Sequence, residues 1–335
     1  SNKKGLQIKI LVTGGAGFIG SNLVKRFVKE GHDLYVADNL WRGSIENLII
    51  NGRTVIDMKM CFHKHDLRDY NNCLTVSKGM DAVIHLADIV AGINFVFANE
   101  FFLYRANIVM NSHMLDAAIE NNVKKYVYVG TACSYPAEMQ SELNPPPFVE
   151  EDAYPANPES AYGWSKLMGE YECELAQNEG AIQTSILRLH NVYGPPCEMS
   201  PEKSQVIPAL IRKAVNYPKE EFIVWGSGNQ RRAFLYVDDA VEAIIVALDK
   251  GMNNGVIQIG PGESYSIADI AERIVRLSGK EIDIKFDPSM PEGDKDRTAD
   301  SSKAHKILGW QQKVSLDEGL QHTYTWANDY LKKNL

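Results

Sequence analysis

The stretch IKILVTGGAGFIG, residues 8–20, runs from an unbroken apolar segment through three spaced glycines into a helical pattern. Residues 8–13 read as a buried strand and 18–30 as an amphipathic helix. Between them Gly14 permits a tight turn, Gly17 lets backbone approach a pyrophosphate, and Gly20 lets helix pack on sheet. The free N–H groups and dipole at the helix start favour phosphate there. A second strand is expected over 33–38, and Asp38 ends it, 18 residues beyond Gly20. A carboxylate at that place accepts from a ribose 2′-hydroxyl and repels a 2′-phosphate, so the expected cofactor is NAD and not NADP. Asp66 and Leu67 follow a strand-like stretch and are candidates to bracket an adenine.

Outward from this turn the pattern repeats. Apolar runs at 81–86, 125–131 and 184–189 alternate with helical stretches at 98–121 and 161–179. Strands apolar throughout, alternating with helices, predict a doubly wound α/β fold whose parallel sheet is covered on both faces. Beyond residue 195 segments shorten and Pro and Gly become frequent, with helices expected over 206–216, 237–250, 267–278 and 316–332. This predicts a smaller C-terminal α/β lobe for substrate. Residues 1–194 would then mainly form the cofactor domain and 195–335 the second lobe, the two interwoven. The irregular segment 135–158 carries six prolines and is too long for a plain connection, which marks it as a functional loop.

Composition narrows the function. With 35 Lys+Arg against 43 Asp+Glu the net charge is −8, and basic runs are no longer than Lys124-Lys125 or Arg231-Arg232. Such a surface disfavours a nucleic-acid partner. The five cysteines are odd in number and lack C-x-x-C spacing. They predict neither a disulfide framework nor a zinc site, so no metal and a cytoplasmic location are expected. No apolar run is long enough to cross a bilayer, and the first 30 residues do not read as a leader. Ser1-Asn2 reads as a tag remnant.

Tyr162-Gly-Trp-Ser-Lys166 opens a predicted helix, and positions i and i+4 share a face. An ammonium beside a phenol, helped by a cationic nicotinamide, is expected to lower the phenol toward working pH. The phenolate then takes a hydroxyl proton while hydride leaves the adjoining carbon. Thr131, at the end of a central strand, completes a set suited to oxidising an alcohol.

These motifs, with HDLRD (65–69), HLAD (85–88), RLHNVYGP (188–195), WGSG (225–228) and RAFLYVDD (232–239), together resemble the extended short-chain dehydrogenase/reductases of the nucleotide-sugar epimerase and dehydratase group. The resemblance implies a Rossmann-type sheet. It also implies cofactor contacts from Gly14, Gly17, Phe18, Ile19, Gly20, Asp38, Asp66, Leu67, Leu86, Ala87, Tyr162 and Lys166. Thr131 would bond the sugar O4, Tyr162 would be the base, and Lys166 would orient cofactor and Tyr162. Asn191 and Arg232 would hold the nucleotide diphosphate. By analogy with the group, the helices over 98–121 and 161–179 would pair in a homodimer.

Dehydratases and decarboxylases of the group carry a carboxylate just after the hydroxyl residue. Here the strand ends Thr131-Ala132-Cys133-Ser134-Tyr135-Pro136, so neither elimination nor decarboxylation is expected. The Ala-Cys-x-Tyr-Pro run is similar to the branch of the group that inverts C3 and C5 of GDP-mannose with a Cys/Lys pair. That likeness makes Cys133 and Lys203 candidates for proton exchange at C5, and at C3, of a GDP-mannose-like substrate, with Arg297 a further diphosphate ligand. The loop from Gly194 to Lys203 is shorter than in that branch. The alternative is a C4 dehydrogenase or C4 epimerase running on Thr131, Tyr162 and Lys166 without an acid/base role for Cys133.

Overall fold

The computed structural model describes residues 5–334. Ser1 and Asn2 lie outside the described residues. A seven-stranded parallel sheet carries the molecule. Its strands are β1 (Lys9–Thr13), β2 (Asp33–Ala37), β3 (Phe62–His63), β4 (Ala82–His85), β5 (Lys125–Thr131), β6 (Gln183–Leu189) and β7 (Val256–Ile259), in the order β7-β6-β5-β4-β1-β2-β3. The chain starts in the interior at β1 and winds outward both ways, so the strand order reverses between β1 and β4. In sheets of this kind the crevice at the carboxyl ends beside that reversal is where ligands bind.

The strands are apolar on both faces because both are covered. Val12, Ile84, Val127 and Leu187 face α1 (Phe18–Lys29) and the C-terminal half. Leu11, Val83, Tyr126 and Ile186 face α2 (Tyr70–Ser77), α4 (Glu100–Glu120) and α5 (Ala161–Asn178). A short α3 (Ile93–Ala98) precedes α4. The helix expected over 98–121 therefore starts as two pieces that meet at Asn99. There the side-chain amide donates to the Phe95 carbonyl at 2.9 Å and closes α3.

The later residues form α6 (Val206–Asn216), α7 (Val237–Lys250), α8 (Ile267–Ser278), α9 (Ser302–Leu308) and α10 (Leu316–Lys333), and take part in three strand pairings of two or three residues. Not all of them stay in the second lobe. β7 extends the central sheet beside β6, and α7 packs on α1, with Arg26 and Glu242 paired at 2.8 Å. Reading the sequence alone missed β7, α2 and α9, and gave β3 only as a strand-like stretch before Asp66. β3 is only two residues long, and β7 is short and interrupted by Gln258.

The segment 135–158 is not a free loop. It contains two 3₁₀ turns, Ala137–Gln140 and Glu150–Ala153. Tyr135 donates its hydroxyl to Gln258 Oε1 at 2.6 Å, and Phe148 N donates to Thr298 O at 2.9 Å. Arg188 of β6 sits beneath it, 1% exposed, bidentate on Glu170 of α5 at 2.9 and 3.0 Å, donating to Glu150 O at 3.0 Å and lying 4.8 Å from the Tyr135 ring. Sheet, loop and α5 are thereby locked together beneath the carboxyl ends of β5 and β6.

Candidate active site

A cavity of about 630 Å³ opens along the carboxyl ends of the strands. Its first part is built by the glycine turn. Gly14 adopts φ 70°, and a Cβ on Gly20 would sit 2.2 Å from the Gly14 carbonyl oxygen, so α1 could not begin this close with any side chain there. Gly17, Phe18 and Ile19 line the same wall. Thr13 Oγ1 accepts from Leu86 N at 3.0 Å and Ala87 N at 3.1 Å, which fixes the turn after β4 beside the glycines. Asp38 accepts from Ala16 N at 3.0 Å and Leu40 N at 2.8 Å. Its carboxylate is therefore clamped to the phosphate turn, and burial raises its pKa. Asp66 and Leu67 line the cavity too, but Asp66 is held by Arg68 at 2.7 Å, and that partner lowers its pKa. A bare glycine cradle, a helix start and a clamped carboxylate fit a dinucleotide with a free 2′-hydroxyl.

The second part lies where β5 meets α5. Ser160 caps α5 by accepting from Gly163 N at 3.2 Å. A Cβ on Gly163 would meet Cys133 O at 2.3 Å and Pro158 Cβ at 2.9 Å, so a glycine is what lets the helix start against the turn after β5. This contact brings Tyr162 and Cys133 into one wall with Thr131, whose Oγ1 accepts from Cys133 N at 3.3 Å. Lys166 is 3% exposed, donates to Val129 O at 2.7 Å and lies 5.0 Å from the Tyr128 ring centroid.

The tyrosine has a neighbour besides the expected lysine. Tyr162 donates its hydroxyl to Asp88 Oδ2 at 2.7 Å, and the Lys166 ammonium is 3.6 Å from that same oxygen. Burial, reinforced by the Asp88 charge, raises the phenol well above its ordinary value. Asp88 is a residue of this site that sequence reasoning missed. It stood in the quoted HLAD motif, but only folding shows that its side chain turns toward α5. Nearby, burial pushes His85 down to about 4, so it is neutral, bridging Thr13 Oγ1 at 2.7 Å and Asn111 Oδ1 at 2.8 Å.

The third part holds two arginines. Arg297 Nη1 donates to Gln140 Oε1 at 2.6 Å and Nη2 to Asn191 Oδ1 at 3.2 Å, while its buried Nε has no partner. Arg232 donates to Glu292 O at 2.9 Å, and its pKa is lowered by burial and by Arg297. Two guanidiniums and an amide at one end of a cleft suit a diphosphate. A second group that sequence reading missed lines the same cavity. It is Glu159, three residues before Tyr162, whose carboxyl is pushed up to about 7 by desolvation and by the neighbouring Asp294 carboxyl.

Lys203 is placed differently from expectation. It is solvent-exposed, its ammonium rests 5.7 Å from the Trp41 ring centroid, and it is not among the residues lining the cavity, although Trp41 is. The structure thus brings together Thr131, Cys133, Tyr162, Lys166, Asn191, Arg232 and Arg297 but leaves Lys203 on the rim. Among the described residues no helix is long and apolar enough to span a membrane, and no group of three or more His, Cys, Asp or Glu could hold a metal ion.

Comparison with known proteins follows the same lines. Residues 10–260 match the model of the NAD dependent epimerase/dehydratase family. GDP-mannose 3,5-epimerase 1 of Oryza sativa subsp. japonica is 34% identical over 329 residues, covering 98% of this chain and 83% of its own. A UDP-N-acetyl-alpha-D-glucosaminuronate decarboxylase of Bacillus cytotoxicus is 31% identical over 332 residues, covering 96% of this chain and 98% of its own. Among solved structures, the UDP-glucose 4-epimerase of Thermotoga maritima with UDP-glucose superposes with a TM-score of 0.86 at 28% identity, covering 97% of this chain and all of the other.

Proposed function

Because the chain belongs to the NAD-dependent epimerase/dehydratase family, we propose that it is a nucleotide-sugar epimerase acting through transient oxidation at C4 and proton exchange at C5, with C3 a second position. When bound, NAD supplies the hydride acceptor and later the donor. Around it this chain's residues divide the work. Gly14, Gly17, Gly20 and Asp38 hold the dinucleotide, with Phe18, Ile19, Leu86 and Ala87 beside it and Asp66 and Leu67 at the adenine. Thr131 bonds the sugar O4 and Tyr162 removes its proton, while Lys166 fixes the tyrosine end of the cofactor. Asn191, Arg232 and Arg297 hold the diphosphate.

The observation that carries the reading is Cys133. It shares one wall with Thr131 and Tyr162, and Ala132 and Cys133 stand where a dehydratase or decarboxylase needs a carboxylate. A C4 ketone acidifies the adjoining C5–H, and a thiolate there can take that proton. The relatives at 34% identity favour a GDP-mannose-like substrate. One observation favours the simpler C4 dehydrogenase or C4 epimerase: the exposed Lys203 is not placed to deliver a proton from the opposite face. Incubation with GDP-, UDP- and TDP-hexoses in D₂O, read by NMR and mass, separates the two. Deuterium at C5 with inversion supports the epimerase reading, and turnover without carbon-bound deuterium supports the C4 reading.

We also propose a homodimer through α4 and α5. Phe101, Phe102, Tyr104, Tyr171 and Leu175 are exposed there, and helices apolar on more than one face need a second partner. Phe101→Glu should shift the sedimenting species to monomer. An unchanged dimer would move the interface elsewhere.

A further inference from the structure

At the arginine end of the cavity two buried polar atoms have no partner among the described residues, one a donor and one an acceptor. They are Arg297 Nε and His190 Nδ1. His190 follows β6 and is 2% exposed. Its neighbour Asn191 accepts at Oδ1 from Arg297 Nη2 at 3.2 Å. Burial, and then the Arg297 charge, lowers the His190 imidazole to about 3, so it is neutral.

Which nitrogen of that neutral ring carries the proton follows from Gln258 on β7. The Gln258 amide Nε2 donates to two carbonyls, Phe148 O and, at 2.6 Å, Asp300 O. An amide turned the other way would set its oxygen against both carbonyl oxygens, so Oε1 faces the histidine. There Oε1 accepts from the Tyr135 hydroxyl at 2.6 Å and lies 3.0 Å from His190 Nε2. Facing an acceptor, Nε2 must donate, and Nδ1 is left with a bare lone pair. The tautomer is set by β7 and the 135–158 segment, not by what fills the cofactor or sugar positions.

We propose that His190 is a positioning residue for the diphosphate: its Nδ1 lone pair and the Arg297 Nε–H are joined across one buried water, which fixes the guanidinium plane. This rests on the reading that Arg297 holds the diphosphate. A buried donor and a buried acceptor each cost free energy when left unmet, and one water between them satisfies both. The pairing works in one sense only. An Nδ1–H tautomer or an imidazolium would turn a donor toward a guanidinium that can only donate. Gln140 Oε1 holds Nη1 at 2.6 Å and Asn191 holds one N–H of Nη2. The contact at Nε completes a three-point hold and leaves the other Nη2 N–H for a phosphate oxygen.

The test is calorimetric titration of the NAD-loaded enzyme with GDP and with UDP. It compares wild type, His190→Gln, His190→Asn, Arg297→Lys and the double variant His190→Gln with Arg297→Lys. A Gln places its amide near the Nε2 position and nothing at Nδ1, whereas an Asn places its oxygen near Nδ1. His190→Gln should weaken binding of both nucleotides about tenfold or more, the scale of one hydrogen bond to a charged group, with NADH binding unchanged. His190→Asn should stay within about threefold of wild type, under half the tenfold step in free energy. In the Arg297→Lys background, which lacks the Nε–H, His190→Gln should weaken binding no further. Equal loss in both His190 variants, loss in neither, the larger loss in His190→Asn, or an undiminished loss beside Arg297→Lys overturns the proposal. Should the variants not fold, nitrogen NMR of the wild-type histidines decides: His190 must be the Nε2–H tautomer at pH 7, and an Nδ1–H ring overturns it. Failure of the underlying reading looks different, since Arg297→Lys would then bind both nucleotides as tightly as wild type.

Discussion

The cofactor preference can be worked out at one carboxylate. Asp38 is fixed by two backbone N–H groups, at 3.0 and 2.8 Å, and is 9% exposed. A 2′-phosphate of NADP would have to enter where the 2′-hydroxyl of NAD donates to it. At about 4 Å and an effective dielectric near 20, each unit of like charge costs about 4 kcal/mol. Since about 1.4 kcal/mol is tenfold in affinity, NADH should bind at least about 10³-fold more tightly than NADPH. Asp38→Asn removes the charge yet keeps an acceptor for Ala16 N or Leu40 N, so the turn survives and the preference should shrink to about tenfold or less. Titrations of intrinsic fluorescence with both reduced cofactors measure the ratio directly. Equal affinities in wild type, or an unchanged ratio in Asp38→Asn, would refute the assignment of Asp38 to the ribose.

Other consequences are equally open to measurement. Glu170→Ala leaves Arg188, 1% exposed, without its partner, and should lower unfolding free energy by about 3–5 kcal/mol. In urea titrations the paired change Glu170→Leu with Arg188→Met should recover most of that loss, and a double variant as unstable as the single one would contradict the desolvation argument. Desolvation and the Asp294 carboxyl push Glu159 up to about 7, within reach of the charges of Arg232 and Arg297. Protonated below that pH it is neutral, and above it adds negative charge next to the guanidiniums. Affinity for a nucleotide-diphosphate sugar should therefore fall as pH rises from 6 to 8, and Glu159→Gln should flatten the profile. Affinity that rises over this range would contradict the placement.

The cofactor half was legible because its constraints are local. Gly20 must be bare because a Cβ there would fall 2.2 Å from the Gly14 carbonyl oxygen, and such a need is written into one short stretch. Tyr162 and Lys166 were readable for the same reason, being one helical turn apart. What could not be read depends on chain segments far apart in sequence. Asp88 meets Tyr162 across 74 residues, and Glu159 meets Asp294 from far along the chain, where the proline-rich segment is also bonded to residues 298 and 300. The strand β7 returns to the central sheet from beyond residue 250, which no periodicity in a four-residue run announces. Lys203 was assigned by resemblance within a loop of altered length, and its side chain lies on Trp41 instead of in the cavity wall.

The central claim is that C4 oxidation and C5 proton exchange are separate tasks, the first belonging to Thr131, Tyr162 and Lys166 and the second to Cys133. The measurement that tests it most directly is Cys133→Ala with nucleotide sugar in D₂O, following nicotinamide absorbance and carbon-bound deuterium together. The account predicts that bound NAD is still reduced while C5 gains no deuterium and is not inverted. A variant that epimerises with normal deuterium uptake would contradict it and leave Cys133 a packed residue at the end of β5.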